Sequence, residues 1–201
     1  MKTPESGTEV FATAQRDTTA PIFEGGFPVD AAIIADVSGA WTNSPSMGSR
    51  LTGTSRLATS NTNAQGADGL FMWDYMNGWG DGSGSYPEYY SWMFKRATGF
   101  FDVVAYTSTT SAINHNLGVS PELVIYKSRT AGGWYTMVAT NGFGELNSSG
   151  AWGGAGNGSG LGPNLANATA TTITGAGNLY GSGVSMVTYL FATLAGVSKV
   201  G

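Results

Sequence analysis

No cysteine occurs anywhere in this chain, which excludes disulfide cross-links, thiolate metal sites and a thiol nucleophile. Charge is scarce as well. Only 11 % of the residues are Asp, Glu, Lys or Arg, well under the roughly 25 % of an average soluble domain, so hydroxyls, amides and bare backbone must cover the surface. The nine basic residues are scattered, with Lys95-Arg96 the one adjacent pair, and the net charge is −4. That gives no cationic footprint for a phosphate backbone, and nucleic acid is not an expected partner. Long apolar runs are missing too. The most apolar segment, Val184 to Val197, is interrupted by Ser and Thr and is too short to span a bilayer, so no membrane insertion is expected. Met1-Lys2-Thr3-Pro4-Glu5 leads into polar sequence and lacks the apolar core of a secretory signal. Without cross-links, the chain must hold together by packing, hydrogen bonds or assembly with copies of itself.

Helical periodicity is also lacking, whereas strand signals are frequent. Glu9 to Thr13, Ala31 to Val37, Phe100 to Tyr106, Glu122 to Lys127, Trp134 to Thr140, Ala170 to Thr174 and Val184 to Thr193 are runs dominated by β-branched, aromatic and small residues, with turn-forming residues between them. Ser44 to Gly69 reads as a loop with one short strand around Arg56-Leu57-Ala58, and Asn141 to Asn167 as a Gly/Asn/Ser loop. This pattern predicts an all-β fold: antiparallel β-sandwich (or barrel-like) units in tandem with long Gly/Ser/Asn-rich loops.

Between Phe71 and Phe94 lie nine aromatic residues, interleaved with Asp74, Asp81, Glu88 and the run Gly80-Asp81-Gly82-Ser83-Gly84-Ser85. Two readings compete: a core patch beneath loops, or a recognition surface that uses the apolar face and polar tip of Tyr and Trp. On the second reading the candidate ligand-binding residues are Trp73, Tyr75, Trp79, Asp81, Tyr86 and Tyr89. Trp152 joins them if the glycine-rich segment Gly150 to Pro163 is an exposed tip rather than a linker.

The chain also resembles itself. Gly26 to Ile34 is similar to Gly118 to Tyr126, and Trp92 to Val103 is similar to Tyr189 to Val200. Both spacings are close to a hundred residues, which predicts two related units, 1–99 and 100–201, with the second ending where a further unit would start.

Those residues carry a family resemblance. Trp92 to Tyr106, Asn114 to Lys127 and Tyr189 to Gly201 resemble the unit boundary, the central segment and the close of an uncharacterised repeat domain of bacteriophage virion proteins, often from marine phages. The likeness is good from about Tyr90 onward and fainter from Glu9 to Gly80. Glu145-Leu146-Asn147 matches the Leu-Asn element of that domain, and the glycine-rich segment after it departs from the pattern. The resemblance implies a structural protein of the tail or its fibres and implies no activity.

Enzymatic signatures are weak. His115 is the only histidine, in Asn114-His115-Asn116-Leu117-Gly118 before a strand, where a turn-forming role is expected, with Gly118 supplying a positive φ. Gly175 to Gly181 misses the spacing of a dinucleotide loop. Glycan cleavage by two of Asp74, Asp81 and Glu88 is the one catalytic alternative. Asp81, Ser83 and Ser85 hold a single carboxylate, too few for calcium, so neither metal nor cofactor is expected, and no catalytic residue is assigned. The expected protein is a non-enzymatic virion component, tail or tail-fibre associated, with a host-surface glycan-binding role. A capsid decoration protein and a polysaccharide-cleaving tail enzyme are the alternatives. Expected partners are other virion proteins, copies of itself, and a host-surface glycan or protein.

Overall fold

The structure is a computed structural model that describes residues 1–38, 44–67, 69–82, 88–138, 142–150 and 165–200. Eight strands belong to the first half: β1 (Phe11–Gln15), β2 (Phe23–Glu24), β3 (Ala31–Asp36), β4 (Ser46–Ser49), β5 (Leu57–Ala58), β6 (Phe71–Met72), β7 (Gly78–Asp81) and β8 (Tyr89–Phe94). Seven belong to the second: β9 (Phe101–Thr107), β10 (Ala112–Asn114), β11 (Leu123–Ser128), β12 (Trp134–Val138), β13 (Gly142–Glu145), β14 (Thr172–Thr174) and β15 (Ser185–Phe191). Helix is limited to single turns. All pairings are antiparallel, and the sheets form sandwiches without closing into a barrel.

Each half builds one main sheet of five strands. The first runs β1-β8-β3-β4-β5 and the second β9-β15-β11-β12-β13. In chain order both read first, last, then three successive strands, and the registers agree. Phe94 lies opposite Phe11 and Ala31, as Phe191 lies opposite Phe101 and Leu123. Met47 opposite Ile33 and Leu57 matches Thr136 opposite Ile125 and Gly144. A small sheet covers the outer face of each main sheet: β2-β7-β6 in the first half and β10-β14 in the second. The chain passes from one half to the other through the turn between β8 and β9, where Ala97 and Phe101 bridge. Gly99 has φ +79° there, and Gly196 repeats that angle in the corresponding turn after β15.

Three apolar cores follow from this layering. Two are private, one under each small sheet. The third is shared: Ala31, Met47 and Leu57 of the first main sheet meet Phe101, Val103, Trp134, Val187 and Tyr189 of the second. Its aromatic centre is Phe94, Phe101 and Phe191, with ring centroids 4.9–5.7 Å apart. Polar bonds stitch the same seam. Trp134 Nε1 donates to the Ala58 carbonyl at 2.9 Å, and Lys127 Nζ donates to Asn63 O at 3.1 Å and Gly132 O at 2.8 Å. Lys127 is wholly buried, and burial pushes its ammonium down to about 8. The two carbonyls and the Trp134 ring face, 5.8 Å away, are what hold its proton.

Strand expectations from composition match β1, β3, β5, β9, β11, β12, β14 and β15 to within a few residues; positions 139 and 140 lie outside the described residues. The segments read as loops are richer in structure than expected. Ser44 to Gly69 contains β4, the aromatic stretch contains β6, β7 and β8, and Gly142–Glu145 is β13. Strand β4 reads Ser-Met-Gly-Ser, which has little intrinsic strand preference, and packing imposes its conformation. The glycine is required because a Cβ at Gly48 would fall 2.4 Å from the Phe71 ring.

A similar approach occurs at Gly78, where a Cβ would fall 2.2 Å from the Phe23 carbonyl oxygen. Because that obstacle is backbone, β2 and β7 must separate to admit it. Gly78→Ala is expected to lower stability by about 1–3 kcal/mol, read as a lower urea midpoint; an unchanged midpoint would contradict this packing.

Candidate functional site

The aromatic stretch divides by strand alternation. Trp79 is fully buried, stacks on Phe23 at 4.6 Å and donates Nε1–H to Ser91 Oγ at 3.0 Å. Trp73 stacks on Phe71 at 5.2 Å and donates to the Gly53 carbonyl. Tyr89 completes the same core. Asp81 has no exposed side-chain surface and pairs with Arg16 at 3.3 Å. These four candidates are therefore corrected: they build the private core of the first half and present nothing to a ligand. The reason is register. In β8 the residues Tyr89, Ser91 and Met93 face inward, and β6 and β7 form a lid whose inward rings fill the layer. Tyr75 is half-buried at the rim, where its carbonyl accepts from Arg50. Tyr86 and Trp152 lie outside the described residues, as do Ser83 and Ser85. Of the carboxylates considered for glycan cleavage, Asp74 and Glu88 are exposed whereas Asp81 is enclosed.

The rings that do reach solvent are the alternate ones. Tyr90, Trp92 and Phe94 share the opposite face of β8. Phe94 is captured by the shared core, whereas Trp92 is half-buried and Tyr90 is 37 % exposed. Thr13 and Gln15 lie beside them in register on β1, and the Tyr90 hydroxyl reaches Gln15 Oε1 at 3.4 Å. Phe11, also 37 % exposed, continues this strip into an apolar groove of about 440 Å³, lined by Phe11, Phe94, Phe100, Phe191, Val197 and Val200.

The matching positions of the second half are closed. Val103, Val187 and Tyr189 correspond to Thr13, Tyr90 and Trp92, and all three are buried. The cover comes from the β4–β5 connection, whose short turn Arg50–Thr52 packs against β9. In the second half three residues separate Val138 from Gly142, and they lie outside the described residues. On the first sheet Phe11, Thr13, Gln15 and Tyr90 stay exposed, so part of that face is open.

His115 occupies a different setting. It is 4 % exposed, its amide donates to Thr171 O at 2.8 Å and its Nδ1 accepts from Leu117 N–H at 3.2 Å. Gly118 takes φ +79°, so the turn-forming role fits the geometry. The ring is interior, and an acid lies near it: Asp102, which accepts from Arg96 Nε, from Val103 N–H and from Asn116 N–H. Burial lowers the affinity of His115 for a proton, and the Asp102 charge only partly opposes that. Among the described residues no group of three or more His, Asp or Glu is placed to hold a metal ion.

Residues 39–201 match the family model of a domain of unknown function, DUF7483. The chain belongs to the DUF7483 family. No curated protein and no solved structure matches it. The DUF7483 match begins after β3, so it takes in the whole second half, both halves of the shared aromatic centre from Phe94 onward, the exposed Tyr90 and the half-buried Trp92. Strands β1 and β3 of the first main sheet and β2 of its small sheet precede it.

Two outcomes are expected from this geometry. Trp79→Ala should cost about 3–5 kcal/mol of stability, whereas Trp92→Ala should cost far less, as measured by denaturant unfolding. Because His115 resists protonation when folded, the unfolded chain binds that proton more readily. Stability should therefore decline as pH falls below the ordinary histidine value of 6.5 toward the carboxylate range. His115→Asn retains an acceptor for Leu117 N–H and should flatten that part of the urea-midpoint profile. A slope that persists in the variant would assign the titration elsewhere.

Proposed function

We propose that this chain is a structural module of a bacteriophage virion, associated with the tail or its fibres, and that it meets the host surface through the open face of its first main sheet. The observation that carries this reading is the strip of Tyr90, Trp92 and Phe11 on a double sandwich that is otherwise closed on that level. The segments that resemble phage virion repeats, Trp92 to Tyr106, Asn114 to Lys127 and Tyr189 to Gly201, support the placement. They form the strands and turns at the seam between the two halves.

The ligand class follows from the chemistry of the strip. Exposed rings with neighbouring hydroxyl and amide groups and no charged side chain among Phe11, Thr13, Gln15, Tyr90 and Trp92 suit the apolar faces and hydroxyl edges of a neutral host-surface glycan. Each stacked ring contributes about 0.5–1.5 kcal/mol beyond its burial, so single sites are weak and many copies on one particle supply avidity. The module binds and holds, and it performs no chemistry. Asp81, the carboxylate embedded among rings, is committed to Arg16.

The decisive experiment is immunogold labelling of intact particles with antibody against this chain, followed by binding of the labelled protein to host cells. Gold at the tail or fibres is expected, together with a several-fold loss of cell binding in Trp92→Ala and Tyr90→Ala at unchanged melting temperature. Absence of the chain from particles would sink the virion reading. Gold spread over the capsid would replace the tail placement with decoration.

A further inference from the structure

Backbone direction decides what an edge strand offers. Lys95 N–H donates to the Val10 carbonyl and Arg16 N–H to the Tyr89 carbonyl. In the antiparallel register of β1 with β8, the even-numbered residues therefore turn their backbone groups toward β8. Phe11 and Thr13 turn theirs outward, to the side on which the first main sheet has no further strand among the described residues.

The corresponding edge of the second half is closed by its own residues. Phe101 and Ala97 exchange backbone bonds at 3.0 and 3.2 Å, and Val103 N–H is taken by the Asp102 carboxylate at 2.9 Å. In β1 the residue matching Asp102 is Ala12, which has no oxygen to give. Natural sheets guard an open edge with Lys, Pro, a bulge or a covering segment. Strand β1 reads Phe-Ala-Thr-Ala-Gln and pairs with β8 residue for residue, so it carries no Lys, Pro or bulge as a guard.

We propose that β1 pairs antiparallel with β1 of a second copy of this chain across a two-fold axis, joining the two first-half main sheets into one. Charge selects a second copy. Self-pairing sets identical strands against each other, and like charges directly opposed are unfavourable; β1 has no ionisable side chain. Shape agrees. A register centred on Thr13 sets Thr13 against its counterpart, Ala12 against the other copy's Ala14, and Phe11 against the other copy's Gln15. The open strips then fuse, because the cross-strand row from Trp92 to Thr13 continues into the other copy's Thr13 and Trp92. The contact is isologous and closes at two copies, and its main-chain bonds are those of strand addition. The inference rests on β1 and is independent of any virion role.

The test is the molar mass of the full chain, by sedimentation equilibrium from micromolar to sub-millimolar concentration. Wild type should have the mass of a dimer, and Thr13→Pro and Thr13→Lys should have half that mass with unchanged circular dichroism and melting temperature. Proline removes only the outward donor, because the Thr13 N–H does not belong to the β1–β8 ladder. Lysine leaves the backbone alone and opposes like charges, so it carries the test if the proline variant fails to fold. A wild-type chain that stays monomeric over the whole range overturns the proposal, and so does a dimer that the folded lysine variant retains.

Discussion

The fold depends on packing both faces of each main sheet, with only a strip of the first left to solvent at Phe11, Thr13, Gln15 and Tyr90. A five-stranded sheet in a single sandwich can leave one face to solvent, but here each main sheet is packed on its outer side by a small sheet and on its inner side by its twin. The contact at Phe94, Phe101 and Phe191 makes this possible, since Phe94 and Phe191 stand at equivalent register positions and meet, with Phe101, across the seam. Removing any one of them would leave a cavity in the core that both halves share. The units are therefore tandem in sequence but cooperative in packing, and the third core belongs to neither alone.

Scarcity of charge and absence of disulfides are consistent with that arrangement. With so much sheet surface enclosed, the fold has few places for ionised groups, and those it buries are answered locally. Asp81 has Arg16, Asp102 has Arg96 and two backbone amides, and Lys127 has two carbonyls and a ring. Two of them join segments far apart in sequence: Asp81 reaches Arg16, and Lys127 reaches the loop at Asn63 from the opposite half. Buried polar groups of this kind cost stability if left alone, so they also fix which loop docks where.

Much of the architecture was legible in the sequence, because Phe101–Thr107, Leu123–Ser128 and Ser185–Phe191 have side chains suited to strands and clear turn boundaries. The internal similarity pointed to the matched halves because it fell on β3, β8, β11 and β15, the strands that define the register. What escaped was structure imposed from outside the segment. Ser46–Ser49 is a strand because its neighbours need one, and the aromatic stretch looked unlike a strand because two hairpin strands and a third were read as one run. The site was less legible still. Aromatic density locates rings but does not say which side they take, and β8 alternates so that Tyr89 is core and Tyr90 is surface. Period-two reading over Tyr89–Phe94 was the available signal, and the Gly and Asp of the preceding segment obscured it.

Matched registers with unmatched coverings have a consequence for how such a body can be used. If the connections between the fourth and fifth sheet positions covered both flanks alike, the two flanks would be interchangeable. The turn at Arg50–Thr52 packs on β9 and shields one flank, whereas Phe11, Thr13 and Tyr90 at the matching flank stay exposed. Two matched sheets thereby make a one-sided body, in which a strip of the first half lies exposed while the equivalent positions of the second half are buried.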